Sequence, residues 1–223
     1  MCGRFSLSAN LTTIAQRFGV RTATAESAAW TPSYNIPPTK TVVVVGDDGA
    51  RYLTEMRWGL IPSWAKDPTI GNRMINARAE TLAVKPAFRA AIRKRRCLVV
   101  ADGFYEWQKQ GRGKQPVYIV LKSRGPFGFA GLWDTWTSPD GEEMKTCTII
   151  TTEANELLKP VHDRMPVILS REAEPIWLDP TIQDPAHLLS LLKPYPAEEM
   201  EFYPVSRAVN SPKNDSLDCI LPL

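Results

Sequence analysis

The sequence predicts a single α+β domain over residues 1–223, with a mainly antiparallel sheet or barrel-like core and helices at its periphery. Short runs rich in β-branched and aromatic residues recur along the chain, and most of them end at Gly, Pro or Asp turns. Helical patterns lie between these runs at irregular intervals, so the regular strand–helix alternation of a parallel sheet is missing. No internal repeat or linker-like stretch divides the 223 residues, although this length would permit two small domains.

Each predicted strand is a short apolar or alternating run bounded by turn residues, such as the sequence Gly46-Asp47-Asp48-Gly49 after the first one. The predicted strands are Thr41–Val45, Arg51–Trp58, Cys97–Ala101, Val117–Leu121, Gly128–Trp133, Thr146–Thr151 and Met165–Leu169. In the first helical pattern, Leu11, Ile14 and Phe18 fall on one face at helical spacing. The predicted helices are Leu11–Phe18, Thr81–Val84, Pro86–Arg93, Glu153–Leu158, Arg171–Trp177 and Pro185–Leu192.

The composition and charge of the chain exclude several classes of protein. The net charge of +3 permits a local basic groove without requiring a nucleic-acid partner. No apolar run approaches the ~20 residues that span a bilayer, and no basic segment followed by an apolar core marks a secretory signal. We therefore expect a cytoplasmic protein that does not contact membranes. Neither a metal site nor a cofactor is predicted, because no C-x-x-C pair occurs among the cysteines Cys2, Cys97, Cys147 and Cys219.

Cys2 is the cysteine with special chemistry. Methionine before a small residue is normally removed, so the mature chain would begin with Cys2 and carry a thiol and an α-amine on adjacent carbons. These groups ordinarily titrate near ~8.5 and ~7.7–8.0, which leaves each a reactive fraction at neutral pH. Together they can form an imine with an aldehyde and then close a thiazolidine ring, or the thiol can attack an amide with the amine as its base. The guanidinium of Arg4 could lower the pKa of the thiol or bind a phosphate.

Two polar stretches supply further candidates. In Ile75–Thr81, an extended backbone would place Asn76, Arg78 and Glu80 on one face, with a solvated edge strand or a helix start as the alternative. Glu106 lies between two aromatic residues just after an apolar run, so partial desolvation would raise its pKa and suit it to proton transfer. The alternative for Glu106 is a surface carboxylate on a half-exposed strand.

His162 lies in a polar loop between turn signals and is one of two histidines in the chain. Histidine is the side chain best matched to acid–base chemistry near neutral pH, although a lone histidine is usually structural. Trp64 follows a proline-containing turn and could present its ring for base stacking, with core packing as the alternative. The other candidates for contact with DNA are Arg4, Arg78, Trp107, Arg164, Ser206 and Arg207.

Seven motifs in this order closely resemble those of the SOS-response-associated peptidase (SRAP) family, from Cys2 to about Asp215. The motifs are Met1-Cys2-Gly3-Arg4-Phe5, Tyr34-Asn35-Ile36-Pro37-Pro38, Trp58-Gly59-Leu60-Ile61-Pro62, Asn76-Ala77-Arg78-Ala79-Glu80-Thr81, Asp102-Gly103-Phe104-Tyr105-Glu106-Trp107, His162-Asp163-Arg164-Met165-Pro166 and Pro204-Val205-Ser206-Arg207. The resemblance implies a sensor of abasic sites, preferentially in single-stranded DNA, that serves the DNA damage response.

The resemblance also implies roles for individual residues. Cys2 would be the nucleophile that closes a thiazolidine DNA–protein crosslink once Met1 has left. Glu106 would assist proton transfer during ring opening of the sugar and imine formation. His162 would donate or accept a proton at the sugar and help to reverse the crosslink, and Asn76 would orient the amine or the sugar.

The family is also credited with β-elimination at abasic sites and with removal of residues that precede the cysteine. We expect a monomer whose partner is single-stranded DNA with an abasic site, and which joins the nucleoid on damage.

Two other functions fit parts of the sequence. An N-terminal-nucleophile amidohydrolase or peptidase also begins with Cys-Gly, but this function leaves Glu106 and His162 without roles. A noncovalent binder of single-stranded DNA would make Cys2 incidental. A crosslinking assay separates all three functions.

Overall fold

Strands dominate the computed structural model, which describes residues 2–20 and 31–223. Within these ranges the strands are β1 (Phe5–Leu7), β2 (Ser33–Ile36), β3 (Thr41–Asp47), β4 (Arg51–Trp58), β5 (Asn76–Arg78), β6 (Arg96–Ala101), β7 (Gly103–Gln110), β8 (Gly113–Leu121), β9 (Phe127–Thr137), β10 (Glu143–Glu153), β11 (Arg164–Pro166) and β12 (Met200–Pro204). The α-helices of the same ranges are α1 (Leu11–Phe18), α2 (Ala91–Lys94), α3 (Ala173–Leu178) and α4 (Pro185–Ser190). None of these described helices has the length and apolar character needed to cross a bilayer.

Helix α1 has the bounds that the sequence predicts, because its start and stop signals are local. The side chain of Asn10 accepts a hydrogen bond from the backbone of Thr13 at 2.8 Å and caps the first turn. Gly19 ends the helix in the left-handed conformation, with a φ of 65°. Ile14 and Phe18 are buried, as their spacing predicts.

The first sheet has five antiparallel strands in the order β12-β8-β7-β1-β2. The second sheet contains β11-β10-β4-β3-β6-β9, and a further pairing between β9 and β10 closes part of it on itself like a barrel. Most of its pairs are antiparallel, but β4 and β5 both run parallel to β10. The predicted α+β class with a mainly antiparallel, barrel-like core is confirmed.

Aromatic side chains pack between the two sheets and hold them together. Phe5 of β1 meets Trp58 of β4 edge-on, with ring centroids 5.1 Å apart, and it meets Phe129 of β9 at 5.9 Å. Phe104 of β7 also contacts Phe129 at 5.9 Å. All four rings are fully buried, and such edge-to-face pairs each contribute about 0.5–1.5 kcal/mol beyond burial. This packing brings the chain start, on the first sheet, against the strands of the second.

Six of the seven predicted strands are confirmed, of which Arg51–Trp58 has the predicted bounds and the other five are longer than predicted. The last, Met165–Leu169, is a strand only over Arg164–Pro166. The helix predicted over Glu153–Leu158 is wrong, because β10 continues through Glu153 and Asn155 then folds the chain into a turn, accepting from Leu158 at 3.0 Å. Pro86–Arg93 is helical only from Ala91 onward.

The remaining differences concern short segments. Thr81–Val84 is not an α-helix, since a 3-10 turn over Ala79–Thr81 ends there. The predictions for α3 and α4 hold to within a few residues at each end. Strands β1, β2, β5, β7 and β12 escape the sequence patterns, because they are short or carry polar residues at buried positions.

Candidate active site

Cys2 lies directly before β1, and the pairing of β1 with β7 fixes its position. The backbone N–H of Tyr105 donates to the carbonyl of Arg4 at 3.0 Å, so Cys2 is carried toward the middle of β7. The Cys2 side chain is fully buried, and its thiol lies 4.0 Å from the same carbonyl. Burial raises the pKa of the Cys2 thiol, and the charge of nearby Glu106 raises it further. The thiol is therefore protonated at neutral pH. The Arg4 guanidinium, which could have lowered the pKa, is not among the causes, and the hydrogen bond to the Arg4 backbone lowers the pKa less than burial raises it.

Asn76 holds the backbone of Cys2 from the second sheet. Strand β5 runs parallel to β10 and places Asn76 beside Ile149. From there the Asn76 Nδ2 donates to the carbonyl of Cys2 at 2.8 Å. Its Oδ1 is buried and has no hydrogen-bond partner among the described residues. Because buried amide oxygens almost always accept a hydrogen bond, this atom is suited to bind an N–H or O–H group that arrives next to Cys2.

Glu106 is buried on β7, with 6% of its surface exposed. Burial raises its pKa, and positive charge nearby, including that of His162, opposes the shift without cancelling it. The predicted partly desolvated carboxyl group is confirmed, and the alternative of a surface glutamate is excluded. A carboxyl group with a raised pKa can both release and accept a proton closer to neutral pH than an ordinary glutamate.

His162 lies in the loop that precedes β11, where its backbone N–H donates to the carbonyl of Leu158 at 2.9 Å. Its Nδ1 is 2.9 Å from the backbone nitrogen of Arg164 and 2.8 Å from the Oδ1 of Asp163. The side chain is one-third exposed, at 33%, and its charge acts on the Glu106 carboxyl group.

These contacts bring together the four residues that the sequence assigned to catalysis. Asn76 bonds to Cys2, the charge of Glu106 acts on the Cys2 thiol, and His162 acts on Glu106. Strand β10 is the common support, since β5 pairs with one of its edges and β11 with the other. No cluster of three metal-ligating side chains occurs within residues 2–20 and 31–223.

Arg4 binds neutral groups of β2 and the C-terminal segment. Its Nη1 donates to the Oδ1 of Asn35 at 2.6 Å and to the carbonyl of Val209 at 2.9 Å. The guanidinium carbon also lies 5.9 Å from the ring centroid of Trp107. Since no carboxylate of the described residues pairs with Arg4, its positive charge is not neutralised by these contacts.

Unlike Arg4, Arg164 forms an ion pair with a carboxylate that neutralises its charge. Its Nη1 and Nη2 donate to the two carboxylate oxygens of Glu80 at 2.6 and 3.0 Å, and Nη2 also donates to the carbonyl of Thr151 at 2.7 Å. The ion pair lowers the pKa of Glu80. This bidentate pair ties the strand of Asn76 to the loop of His162.

A cationic groove of about 510 Å³ opens beside Asn76. Its lining residues are Trp64, Arg73, Met74, Asn76, Arg78, Lys85, Pro86, Ala87 and Phe88. Three of these carry positive charge, and no acidic side chain of the described residues lines it. Trp64 is 60% exposed at the groove, which excludes the alternative that it packs in the core. Sequence reasoning identified Trp64 and Arg78 here but missed Arg73 and Lys85, since isolated surface cations carry no motif signal.

Trp107, Ser206 and Arg207 lie at the junction of β7 with the C-terminal segment. Trp107 donates from Nε1 to the Oδ1 of Asn210 at 2.7 Å. The Ser206 hydroxyl oxygen accepts from the backbone of Ala208 at 3.2 Å and caps a 3-10 turn over Arg207–Asn210. Arg207 itself is exposed.

Two polar residues that position the site have no role in the sequence argument. Asn35 is 1% exposed and joins Arg4 to three carbonyls of the C-terminal segment, those of Val209, Ser211 and Asn214. Asp102 accepts from the Ser6 hydroxyl at 2.6 Å and from the Ser8 hydroxyl at 2.7 Å, which fastens β1 to the start of β7. The sequence signal that could have identified these two residues is a polar side chain within a largely apolar motif.

The two-sheet α+β fold carries a buried cysteine at position 2, which is bonded to an amide and lies near a carboxyl group that feels the charge of an imidazole. These features define a class of proteins with a cysteine-centred site. Comparison with known proteins gives this class its family. The model of the family described as SOS response associated peptidase (SRAP) matches residues 1–212. The chain belongs to this family.

Characterised relatives and a solved structure agree with this membership. The chain is 49% identical over 222 residues to the abasic site processing protein YoqW of Bacillus subtilis, with 99% of each chain covered. It is 37% identical to the abasic site processing protein HMCES of Gallus gallus over 86% of this chain and 66% of that protein. A crystal structure of a protein from Bacteroides thetaiotaomicron superposes with a TM-score of 0.91 at 32% identity, and both chains are covered completely.

Proposed function

We propose that this protein processes abasic sites in single-stranded DNA, and that it captures the ring-opened sugar covalently through Cys2. The observation that carries the proposal is the hydrogen bond from Asn76 to Cys2 beside the buried carboxyl group of Glu106, whose charge acts on the Cys2 thiol. The charge of His162 acts on Glu106 in turn. The names of the relatives, abasic site processing proteins, supply the substrate class. An abasic deoxyribose in its open form presents an aldehyde, which is the group that an adjacent amine and thiol can trap together.

The capture would proceed in two steps after removal of Met1. The α-amine of Cys2 condenses with the aldehyde, which forms a C=N bond and releases one water. The thiol then adds to the imine carbon, so that an S–C bond forms and the thiol proton moves to the nitrogen. Because the pKa of the Cys2 thiol is raised, the amine attacks first, and the thiol loses its proton only as sulfur bonds to carbon. Glu106, which is buried beside the thiol, accepts that proton and passes it on.

Asn76 would orient the amine during this reaction. Its Nδ2 already fixes the carbonyl of Cys2 at 2.8 Å, and its buried Oδ1 offers an acceptor to the amine or to a hydroxyl of the sugar. His162 would exchange a proton with the sugar oxygen during ring opening and with the thiazolidine during reversal. β-Elimination at the lesion and removal of residues before Cys2 would use the same groups.

DNA binding would use the cationic groove and the surface around it. Arg78 and the neighbouring Arg73 and Lys85 would neutralise phosphates, and Trp64 would stack on a base. Arg4 supplies positive charge behind Cys2, and Trp107 offers a second ring beside it. Ser206 and Arg207 would extend the phosphate contacts, and Arg164 would join them when it exchanges Glu80 for a phosphate.

The alternative function as an N-terminal-nucleophile amidohydrolase or peptidase has less support. Amide hydrolysis begins with attack by the thiol itself, with the α-amine as its base, and burial raises the pKa of the Cys2 thiol, which makes that first step harder. The cationic groove beside Asn76 also has no role in hydrolysis of a neutral amide.

The proposal is tested with a single-stranded oligonucleotide that carries one abasic site. The wild-type protein, confirmed by mass spectrometry to lack Met1, should form an adduct that survives SDS and heat. Cys2→Ser keeps the amine and loses the thiol, so it should form only an imine that borohydride can trap. Cys2→Ala should likewise form only an imine that borohydride can trap. Glu106→Ala, in which Cys2 is kept, should form the stable adduct more slowly than the wild type.

Four outcomes would contradict the proposal. Absence of a stable wild-type adduct would exclude covalent capture, and a stable adduct with Cys2→Ser would exclude the thiazolidine. Glutamine hydrolysis by the wild type without any adduct would favour the amidohydrolase. A variant with lysine inserted between Met1 and Cys2 retains its methionine, and a wild-type rate of capture by it would exclude the α-amine of Cys2.

A further inference from the structure

Asp163 and the backbone N–H of Arg164 meet the same nitrogen atom of His162. The Arg164 nitrogen lies 2.9 Å from the Nδ1 of His162, and the Asp163 Oδ1 lies 2.8 Å from it. An N–H group can donate only to an Nδ1 that carries no proton, whereas a carboxylate can accept only from an Nδ1 that carries one. The two contacts therefore cannot form at the same time, and each belongs to a different protonation state of the ring.

We propose that Asp163 is a positioning residue that lets His162 exchange between two tautomers without moving. When Nδ1 is bare, it accepts from the Arg164 backbone, the proton is on Nε2, and Nε2 acts as a donor. When Nδ1 carries the proton, it donates to Asp163, and the lone pair on Nε2 acts as an acceptor. The backbone partner and the carboxylate thus give each tautomer a satisfied arrangement in the same ring position.

The surrounding structure keeps this arrangement in place. The loop is fixed at both ends, because the His162 N–H donates to the Leu158 carbonyl at 2.9 Å and Ala154 donates to the carbonyl of Asp163 at 3.0 Å. Among the described residues, the charged groups that act on the ring are Glu106 from β7 and Asp163 from its own loop, whereas Arg164 contributes its backbone N–H because its guanidinium is bound to Glu80. Asp163 is 86% exposed, so its effect on the ring has the modest size of a solvent-screened charge.

The exchange accounts for proton transfer in both directions, and this part of the inference rests on the proposed function. During capture, Nε2 takes a proton from the sugar hydroxyl, and the resulting imidazolium shares its Nδ1 proton with Asp163. During reversal, the imidazolium returns the Nε2 proton to the thiazolidine. If the imidazolium loses its Nδ1 proton to water, it becomes the Nε2–H tautomer, which accepts from the Arg164 backbone. The ring can therefore begin either capture or reversal.

The experiment is nuclear magnetic resonance of the full chain labelled with 15N-histidine. The sequence contains only His162 and His187, and His187→Gln assigns the two rings. At a pH where the ring is neutral, the ring nitrogen shifts give the ratio of Nδ1–H to Nε2–H tautomer. We expect Asp163→Asn to lower this ratio by about threefold, the size of an exposed charge interaction, and Asp163→Glu to restore it. Glu156→Gln, which removes a carboxylate that is 90% exposed and pairs with Lys159, is the matched control.

A tautomer ratio that is equal in the wild type and Asp163→Asn would overturn the inference, as would an equal change in Glu156→Gln. In a second arm, Asp163→Asn should slow crosslink formation and reversal by about threefold each relative to Glu156→Gln. Formation and reversal rates equal to those of Glu156→Gln would also overturn it. If the wild type formed no crosslink, the proposed function would fail, while the tautomer measurement would still decide the role of Asp163.

Discussion

Replacement of Asn35 by alanine tests the network that supports the chain start. Asn35 is 1% exposed and lies on β2, at the edge of the first sheet. Its Oδ1 accepts from Arg4 at 2.6 Å, and its Nδ2 lies 3.2, 3.0 and 2.6 Å from the carbonyls of Val209, Ser211 and Asn214. Alanine would leave the half-buried Arg4 guanidinium and the three carbonyls without this partner.

The cost can be derived from these contacts. The bond from the charged guanidinium contributes about 2 kcal/mol, and the two N–H groups of Nδ2, which serve three carbonyls, contribute about 1 kcal/mol each. We therefore expect Asn35→Ala to lower the free energy of unfolding by about 4 kcal/mol. This is a large share of the roughly 5–15 kcal/mol that stabilises a typical domain.

The assay is urea unfolding followed by tryptophan fluorescence. With a slope of about 3 kcal/mol per molar urea for a chain of this size, the midpoint should fall by about 1.3 M. The matched control is Asn72→Ala, because Asn72 accepts a single exposed hydrogen bond from Arg57 at 3.0 Å. That variant should lose less than about 1 kcal/mol. Equal midpoints for the two variants would refute the reasoning that the Asn35 network stabilises the fold.

Three further substitutions test packing, charge pairing and burial. Gly103→Ala would place a Cβ 2.2 Å from the ring of buried Tyr118, so we expect a loss of about 1–3 kcal/mol, visible as a lower melting temperature. Glu80→Gln frees the charge of Arg164, so binding of undamaged single-stranded DNA should tighten and its salt slope should steepen by about 0.7. Because burial raises the pKa of Glu106, the folded state keeps the Glu106 proton to a higher pH than the unfolded state does. The contribution of Glu106 to the free energy of unfolding of the wild type therefore falls as pH rises above about 4.3. The stability of Glu106→Gln relative to the wild type should therefore grow with pH in urea unfolding.

Each of these predictions has a control. Gly113→Ala introduces a Cβ whose nearest neighbour is 3.9 Å away, and a melting temperature as low as that of Gly103→Ala would contradict the packing argument. Glu156→Gln removes an exposed carboxylate without freeing Arg164. DNA binding that is unchanged by Glu80→Gln would mean that Arg164 stays bound to β10 through Thr151. A pH-independent stability difference between Glu106→Gln and the wild type would contradict the raised pKa.

Local patterns predicted those elements whose causes are local. Helix α1 has its cap at Asn10, its stop at Gly19 and its apolar spacing between them, and all three can be read from the sequence. The apolar strand β3 and the mixed strand β4 are bounded by turn residues, so their positions were also predictable. Strand β1 is three residues long and exists because β2 and β7 pair with it, which no local pattern reports.

The residues of the candidate site also divide into those that the sequence identifies and those that only the fold places there. Ordered motifs identified Cys2, Asn76, Glu106 and His162, because the residue types and their order are properties of the sequence. Their partners depend on contacts between distant segments, such as the bond from Arg4 to Val209 across 205 positions. The groove cations Arg73 and Lys85 were missed for this reason, since only the fold places them beside Arg78.

The sequence by itself determined the chemistry that is available: a thiol that joins an α-amine after Met1 is removed, a carboxyl group, an imidazole and several guanidinium groups. The tertiary structure decided the electrostatic state of each group. Burial raises the pKa of the Cys2 thiol, and Glu80 neutralises Arg164, while no described carboxylate pairs with Arg4. The physical reason is that desolvation and Coulomb interactions depend on distances in space, which the order of residues does not specify.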